Sequence, residues 1–172
     1  MERQPLAMSM QRDRDVRMVS VSTPAEMAQV RAIFSEYALS LGVNLSFQNF
    51  DAELDNLPGE YTGALGGLLN APVDGIIAGC CALRPLFAAD HVNVAEMKRP
   101  YVRPDYRRLG RGRLLAEATL DSARVAGYHS VLLDTLNDME AARALYAELG
   151  FYDISSFYYN PVPGAHHLKA DL

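Results

Sequence analysis

Residues 102–113 read Val102-Arg103-Pro104-Asp105-Tyr106-Arg107-Arg108-Leu109-Gly110-Arg111-Gly112-Arg113. They join the end of a strand-like stretch to the start of a helical one. A helix start presents backbone N–H groups without intrahelical partners, and the helix dipole adds partial positive charge there. Gly110 and Gly112 remove side chains where a backbone must approach a ligand. The arginines add bidentate contacts to phosphate oxygens. The segment therefore predicts a pyrophosphate cradle. Two common cradles fail on the residues themselves. A P-loop needs a lysine after its second glycine, and Arg113 follows Gly112. A dinucleotide fold needs G-x-G-x-x-G, and Leu115 stands where the third glycine belongs.

Outward from this segment, Val92–Val102 reads as a strand, with Pro100 near its end suited to an edge or bulge. The helix should run from about Gly110 to Ala126, burying Leu115, Ala118, Ser122 and Val125, with Gly127 as its stop. Ser130–Thr135 is a short buried strand. Asn137 with Glu140 predicts a capping box for a helix facing inward through Met139, Ala142, Leu145 and Leu149. Phe151–Tyr159 and about His166–Leu172 read as the last strands. Upstream, Val16–Val21 reads as a strand. Thr23, Pro24 and Glu26 then open a helix, whose apolar stripe is Met27, Val30, Phe34, Tyr37 and Leu41. Gly42 closes it. A short helix fits Asp51–Asn56, and strands fit 61–70 and 76–83 around Asp74-Gly75. The order β-α-α-β-β-β-α-β-α-β-β makes one α/β (mixed α+β) domain over 16–172, after an arm at 1–15. Its mixed, mostly antiparallel sheet carries a central parallel βαβ crossover.

The 172 residues are enough for one compact domain. Apolar residues make up 49%, so the chain is not of the disordered class. The first residues lack the apolar core of a secretory signal. No apolar run is long enough to span a bilayer. Adjacent Cys80 and Cys81 make a poor staple and point to a reducing compartment, here taken as the cytoplasm. Two thiols alone make no zinc site, so no metal is expected. Residues 98–113 carry seven basic side chains against Asp105, a net of +6, while the whole chain is at −5. So compact a basic island predicts a small anionic ligand and no nucleic-acid or membrane partner.

Arg107-x-x-Gly110-x-Gly112 resembles the R/Q-x-x-G-x-G/A signature of the GNAT superfamily of N-acetyltransferases. Glu96–Pro104 resembles that family's central strand with its Y-V-R-P exit. Ala142-x-x-Leu145-Tyr146-x-x-Leu149-Gly150-Phe151 resembles its A-x-x-L-Y-x-x-L-G-F helix end. The resemblance covers about residues 16–172. It implies acetyl-CoA as co-substrate and a small-molecule or peptide amine as acceptor. It places Tyr101 and Val102 on the pantetheine arm, with Arg107, Arg108, Leu109, Gly110, Arg111, Gly112 and Arg113 on the pyrophosphate. Tyr146 becomes the proton donor to the leaving thiolate, and Glu96 the base, directly or through water. A splay between the strands ending at Val102 and Thr135 would admit the cofactor. One departure stands out: Met139 occupies a position where the family often has a cofactor-contacting asparagine.

Two other readings stay open. One is a degenerate domain that binds acyl-CoA as a sensor or scaffold. The other is an acyltransferase using a longer acyl chain. Asp51, Glu53, Asp55 and Glu60 form either a solvated face or an acidic rim for a cationic acceptor. His166 and His167 should point to opposite faces of a strand. The strands at 151–172 also offer an edge for a homodimer.

Overall fold

The computed structural model describes residues 16–19, 22–88 and 90–172; the expected arm at 1–15 and the end of the expected first strand, Ser20 and Val21, lie outside them. The chain runs β1 (Arg17–Met18), α1 (Pro24–Leu41), α2 (Phe50–Asp55), β2 (Gly67–Val73), β3 (Ile76–Ala88), β4 (His91–Val102), α3 (Arg111–Val125), β5 (Ser130–Leu136), α4 (Glu140–Glu148), β6 (Tyr152–Ile154) and β7 (Ala165–Asp171). The order of elements is the one expected.

One seven-stranded sheet has the order β1-β2-β3-β4-β5-β7-β6. All neighbours are antiparallel except β4 and β5. One core lies under α3 and α4 and holds Leu83, Met97, Leu115, Leu120, Val131 and Tyr146. The other lies under α1 and α2 and holds Val30, Ile33, Phe34, Phe50 and Leu68. The central strands are therefore covered on both faces, and Cys80 and Cys81 are both buried.

The start of α1 follows its sequence signals. Thr23 accepts from the Glu26 amide, and the Glu26 carboxylate accepts from the Thr23 amide. Gly42 ends the helix in the left-handed region. Replacing Thr23 by Ala strands one amide and should cost about 1 kcal/mol; a denaturant midpoint unchanged at constant slope would contradict this. Asp74 and Gly75 both take positive φ, as a two-residue hairpin turn requires.

Four expectations are corrected. Residues 61–66 are bend and irregular chain, with Tyr61 buried and its hydroxyl donating to Glu53 Oε1 at 2.6 Å. The buried face of α3 is Leu115, Ala116, Thr119, Leu120 and Ala123, whereas Val125 is 90% exposed. Thr119 tolerates burial because its hydroxyl donates to Leu115 O at 2.7 Å. The start of α4 has Met139 at its N-cap and no side-chain cap. Asn137 is drawn away: its amide donates to Gly164 O and its side chain contacts His166 Nε2. Finally, β6 stops at Ile154. Phe157 and Tyr158 instead pack edge-on against His167.

Candidate active site

The parallel pairing of β4 with β5 covers Val94↔Ser130, Ala95↔Val131 and Glu96↔Leu132, and goes no further. Beyond that rung β4 continues to Val102 and β5 to Leu136 as diverging strands. On its other side β4 stays paired with β3, through an irregularity in which Arg99 and Pro100 oppose Cys81 alone. Arg99 takes a φ of 57° there. Pro100 has no N–H to offer a ladder, so it sits where no partner strand is needed. The edge of β4 that faces β5 is thus open at Tyr101 and Val102, although Val102 O accepts from Arg107 Nε at 2.8 Å.

A cavity of about 730 Å³ occupies this opening. Its walls include Cys80, Pro100, Tyr101, Val102, Arg107, Arg108, Gly110, Arg111, Gly112, Met139 and Tyr146. The N-terminus of α3 forms one wall. Gly110 is its N-cap at φ 75°, and no side chain caps the helix. The first helical bond is Leu114 N to Gly110 O, so the amides of Arg111, Gly112 and Arg113 have no intrahelical acceptor. The contrast with the full capping box of α1 matters. The same chain caps one helix start with a side chain and gives the one facing the cavity no side-chain cap.

The two glycines differ in cause. Gly110 needs its glycine for conformation, since φ is positive. Gly112 does not. A Cβ there would meet only Leu145 Cδ2 at 3.9 Å and Val102 Cγ2 at 4.0 Å, both ordinary contacts. Glycine in the middle of a helix costs about 0.5–1 kcal/mol relative to alanine, and no contact among the described residues requires a glycine at Gly112.

The basic island divides in three dimensions. Arg99 pairs with Glu53 and Arg103 with Glu36, in each case through two nitrogens. Arg113 reaches Glu117 and Glu148 and stands away from the cavity. Leu109 is exposed and does not line it either. Arg107, Arg108 and Arg111 remain on its wall, with Arg111 buried and its guanidinium over the Tyr106 ring.

Tyr146 is 4% exposed and meets Phe151 edge-on. Burial pushes its phenol well above the ordinary tyrosine value, so it stays protonated. Burial likewise raises the Cys80 thiol well above its ordinary value, so this cavity-lining thiol is held uncharged. Glu96 is 1% exposed and borders neither this cavity nor the cleft described next. Its Oε1 receives Arg84 Nε at 2.9 Å and Arg84 Nη2 at 2.7 Å. Glu53 and Glu60 are likewise engaged, with Arg99 and Arg84, which leaves little of an acidic rim.

Across Pro100 and Met139 the cavity meets a smaller cleft on the α1 side of the sheet. Ala95, Met97, Val131 and Leu133 belong to the core under α3. The alternate residues Glu96, Lys98, Leu132 and Asp134 therefore face the other way. The cleft is lined by Lys98, Asp134, Gln48 and Asn160 among others. No sequence motif marked Lys98 or Asp134 as site residues. What brings them to one cleft is the rung at which β4 and β5 part. His167 is also buried, packed on Phe157 and Tyr158.

The strand pair parts beside a glycine-bearing helix start with no side-chain cap, which makes a cavity suited to an anionic ligand. The comparisons then give the family. A family model described as Acetyltransferase (GNAT) family matches residues 30–151. An uncharacterized N-acetyltransferase of Schizosaccharomyces pombe is 32% identical over 95% of this chain and 99% of its own. A crystal structure of an acetyltransferase from Streptococcus agalactiae superposes with a TM-score of 0.72 at 20% identity, over 92% of this chain and 98% of that one. A GNAT family acetyltransferase from Elizabethkingia anophelis, crystallised with acetyl-CoA bound, gives 0.61 at 19% identity, over 92% and 97%. The chain belongs to the GNAT family of N-acetyltransferases. Among its described residues no helix is long and apolar enough to cross a membrane.

Proposed function

We propose that this protein transfers the acetyl group of acetyl-CoA to a primary amine by direct attack in a ternary complex. The observation that carries this reading is the start of α3, with no side-chain cap and a Gly112 that its neighbours do not require, facing a cavity that runs into the gap between β4 and β5. Acetyl-CoA bound in the Elizabethkingia relative supports the choice of co-substrate.

Gly110, Arg111 and Gly112 receive the pyrophosphate through backbone amides, aided by Arg107 and Arg108. Leu109 and Arg113 contribute backbone only, since the Arg113 guanidinium is held by Glu117 and Glu148. The open edge of β4 at Tyr101 and Val102 takes the pantetheine arm as it would an added strand. The amine nitrogen attacks the thioester carbonyl carbon. A C–N bond forms, the C–S bond breaks, and holding both reactants in one cleft supplies much of the acceleration. Amides of the open strand edge polarise the carbonyl oxygen. The proton leaving nitrogen passes to Glu96 through water, because the carboxylate lines neither space. The departing thiolate takes the Tyr146 proton, which solvent replaces.

Calorimetric titration with acetyl-CoA, beside CoA, ATP and NAD, tests the cradle. Selective binding of the CoA species is expected, and no binding to any of them overturns the reading. An amine panel then tests transfer. Tight binding without transfer to any amine would instead identify an acyl-CoA sensor, and competition among acyl-CoAs of increasing length reads the chain preference.

A further inference from the structure

The polar cleft on the α1 side holds two opposite charges that do not meet. Lys98 comes from β4 and Asp134 from β5, both beyond the last paired rung. Lys98 is 4% exposed. Its ammonium has three donors, and one is used, toward Gln48 Oε1 at 3.1 Å. Its nearest carboxylate oxygen, Glu96 Oε2, is 3.8 Å away, and Arg84 already holds Glu96 at 2.7 Å. Gln48 cannot turn to follow a ligand. Its Oε1 also accepts from Arg99 Nη1 at 2.6 Å, and its Nε2 donates to the Tyr158 hydroxyl at 2.9 Å.

Asp134 is held on one side only. Tyr158 OH and Asn160 Nδ2 both donate to Oδ2. No described residue donates to Oδ1. No ion pair joins Asp134 to Lys98 among the described residues, so the strand splay keeps a buried cation and a carboxylate apart. The Lys98 ammonium has only the long ion pair to Glu96 and the bond to Gln48, so a ligand group of opposite charge would meet a buried cation with donors to spare.

Resting on the proposed function, we infer that the acceptor is a small amine carrying a carboxylate, of the α-amino acid class: its carboxylate binds Lys98, its amino group binds Asp134 Oδ1, and its nitrogen thereby lies toward Pro100 and Met139, where the cleft meets the cofactor cavity. Size points the same way. The free space is about 30 Å³, enough for one or two waters. Phe47 lines it and stacks on Tyr158 at 6.4 Å and 13°. So narrow a cleft suits a small molecule, whereas the surface of a folded protein presents too broad an approach. A polyamine would bring a second cation against Lys98.

The test compares matched pairs: L-alanine with ethylamine, L-leucine with isoamylamine, L-phenylalanine with phenethylamine, L-glutamate with γ-aminobutyrate and L-lysine with cadaverine. Binding to the CoA-saturated protein is read first, because it needs no turnover. Within at least one pair the amino acid should bind tenfold or more tightly than its decarboxylated amine. In Lys98→Met that ratio should fall toward one, and Lys98→Arg should restore part of it. Asp134→Asn should weaken both members of the pair. Acetyl-CoA titration of each variant checks folding, and Lys98→Gln stands in if Lys98→Met fails that check. Equal affinity within every pair overturns the inference and leaves the N-acetyltransferase reading standing. Amino-acid preference without acetyl transfer would sustain the inference about the cleft and remove the proposed reaction. If no CoA species binds, the same titration on the free protein still decides the cleft.

Discussion

Gly112→Glu should abolish acetyl-CoA binding while leaving the fold intact. Glutamate is a good helix former, and carboxylates near a helix N-terminus are stabilising. The backbone has ordinary space at this position, with no contact closer than 3.9 Å for a Cβ. The substitution therefore does not harm the protein in the absence of ligand. It does place a negative charge at the wall where the pyrophosphate is proposed to lie. Two unit charges about 4 Å apart at an effective dielectric near 20 repel by about 4 kcal/mol, on the order of a 10³-fold loss in affinity. Gly112→Ala separates bulk from charge: it should keep or raise the melting temperature and weaken acetyl-CoA by a smaller factor. Calorimetry on a variant with unchanged thermal unfolding reads both. A Gly112→Glu protein with normal affinity would remove the start of α3 from the cofactor site.

Tyr146→Phe should lower kcat by roughly 10²-fold, the lower end of what a positioned proton donor contributes. The lower end applies because a thiol is far more acidic than an alcohol and is already a tolerable leaving group. The ring keeps its edge contact with Phe151, so acetyl-CoA affinity should stay within about threefold. Since burial holds the phenol protonated, ionisation of Tyr146 should produce no alkaline fall in kcat below pH 10. Unchanged turnover in the Phe variant would show that the thiolate leaves without help from this hydroxyl.

The legibility of this chain followed the range of the interactions. The capping box of α1 and the Asp74-Gly75 turn are settled by neighbours a few residues apart, and both formed as read. Asn137 carried an equally good local signal for a cap. It lost to Gly164 and His166, which lie far along the chain and adjacent in space. The stripe of α3 was misjudged because Thr119 satisfies its own hydroxyl within the helix and Val125 lies past the edge of the sheet-facing surface.

The candidate site divides in the same way. The glycines, the arginines near them and Tyr146 stand in short spacings, so sequence by itself determined the family resemblance, the βαβ unit and the residues Arg107, Arg108, Gly110, Arg111, Gly112 and Tyr146 that line the large cavity. Charge did not sum along the chain as it does in space. Arg99 and Arg103 counted in the basic island and Arg113 was expected on the pyrophosphate, yet Glu53, Glu36, Glu117 and Glu148 take these side chains. Glu53 and Glu36 come from helices folded against β3 and β4, a contact that no local pattern announces. The polar cleft on the α1 side is wholly a tertiary product. Lys98 and Asp134 share it only because β4 and β5 stop pairing after Glu96 and Leu132. Local residues set helix starts, turns and glycine-bearing loops, because those energies are paid within a few peptide units. Strand divergence and the pairing of buried charges depend on which segments the folded chain brings within a few ångströms, and only the tertiary structure decides that.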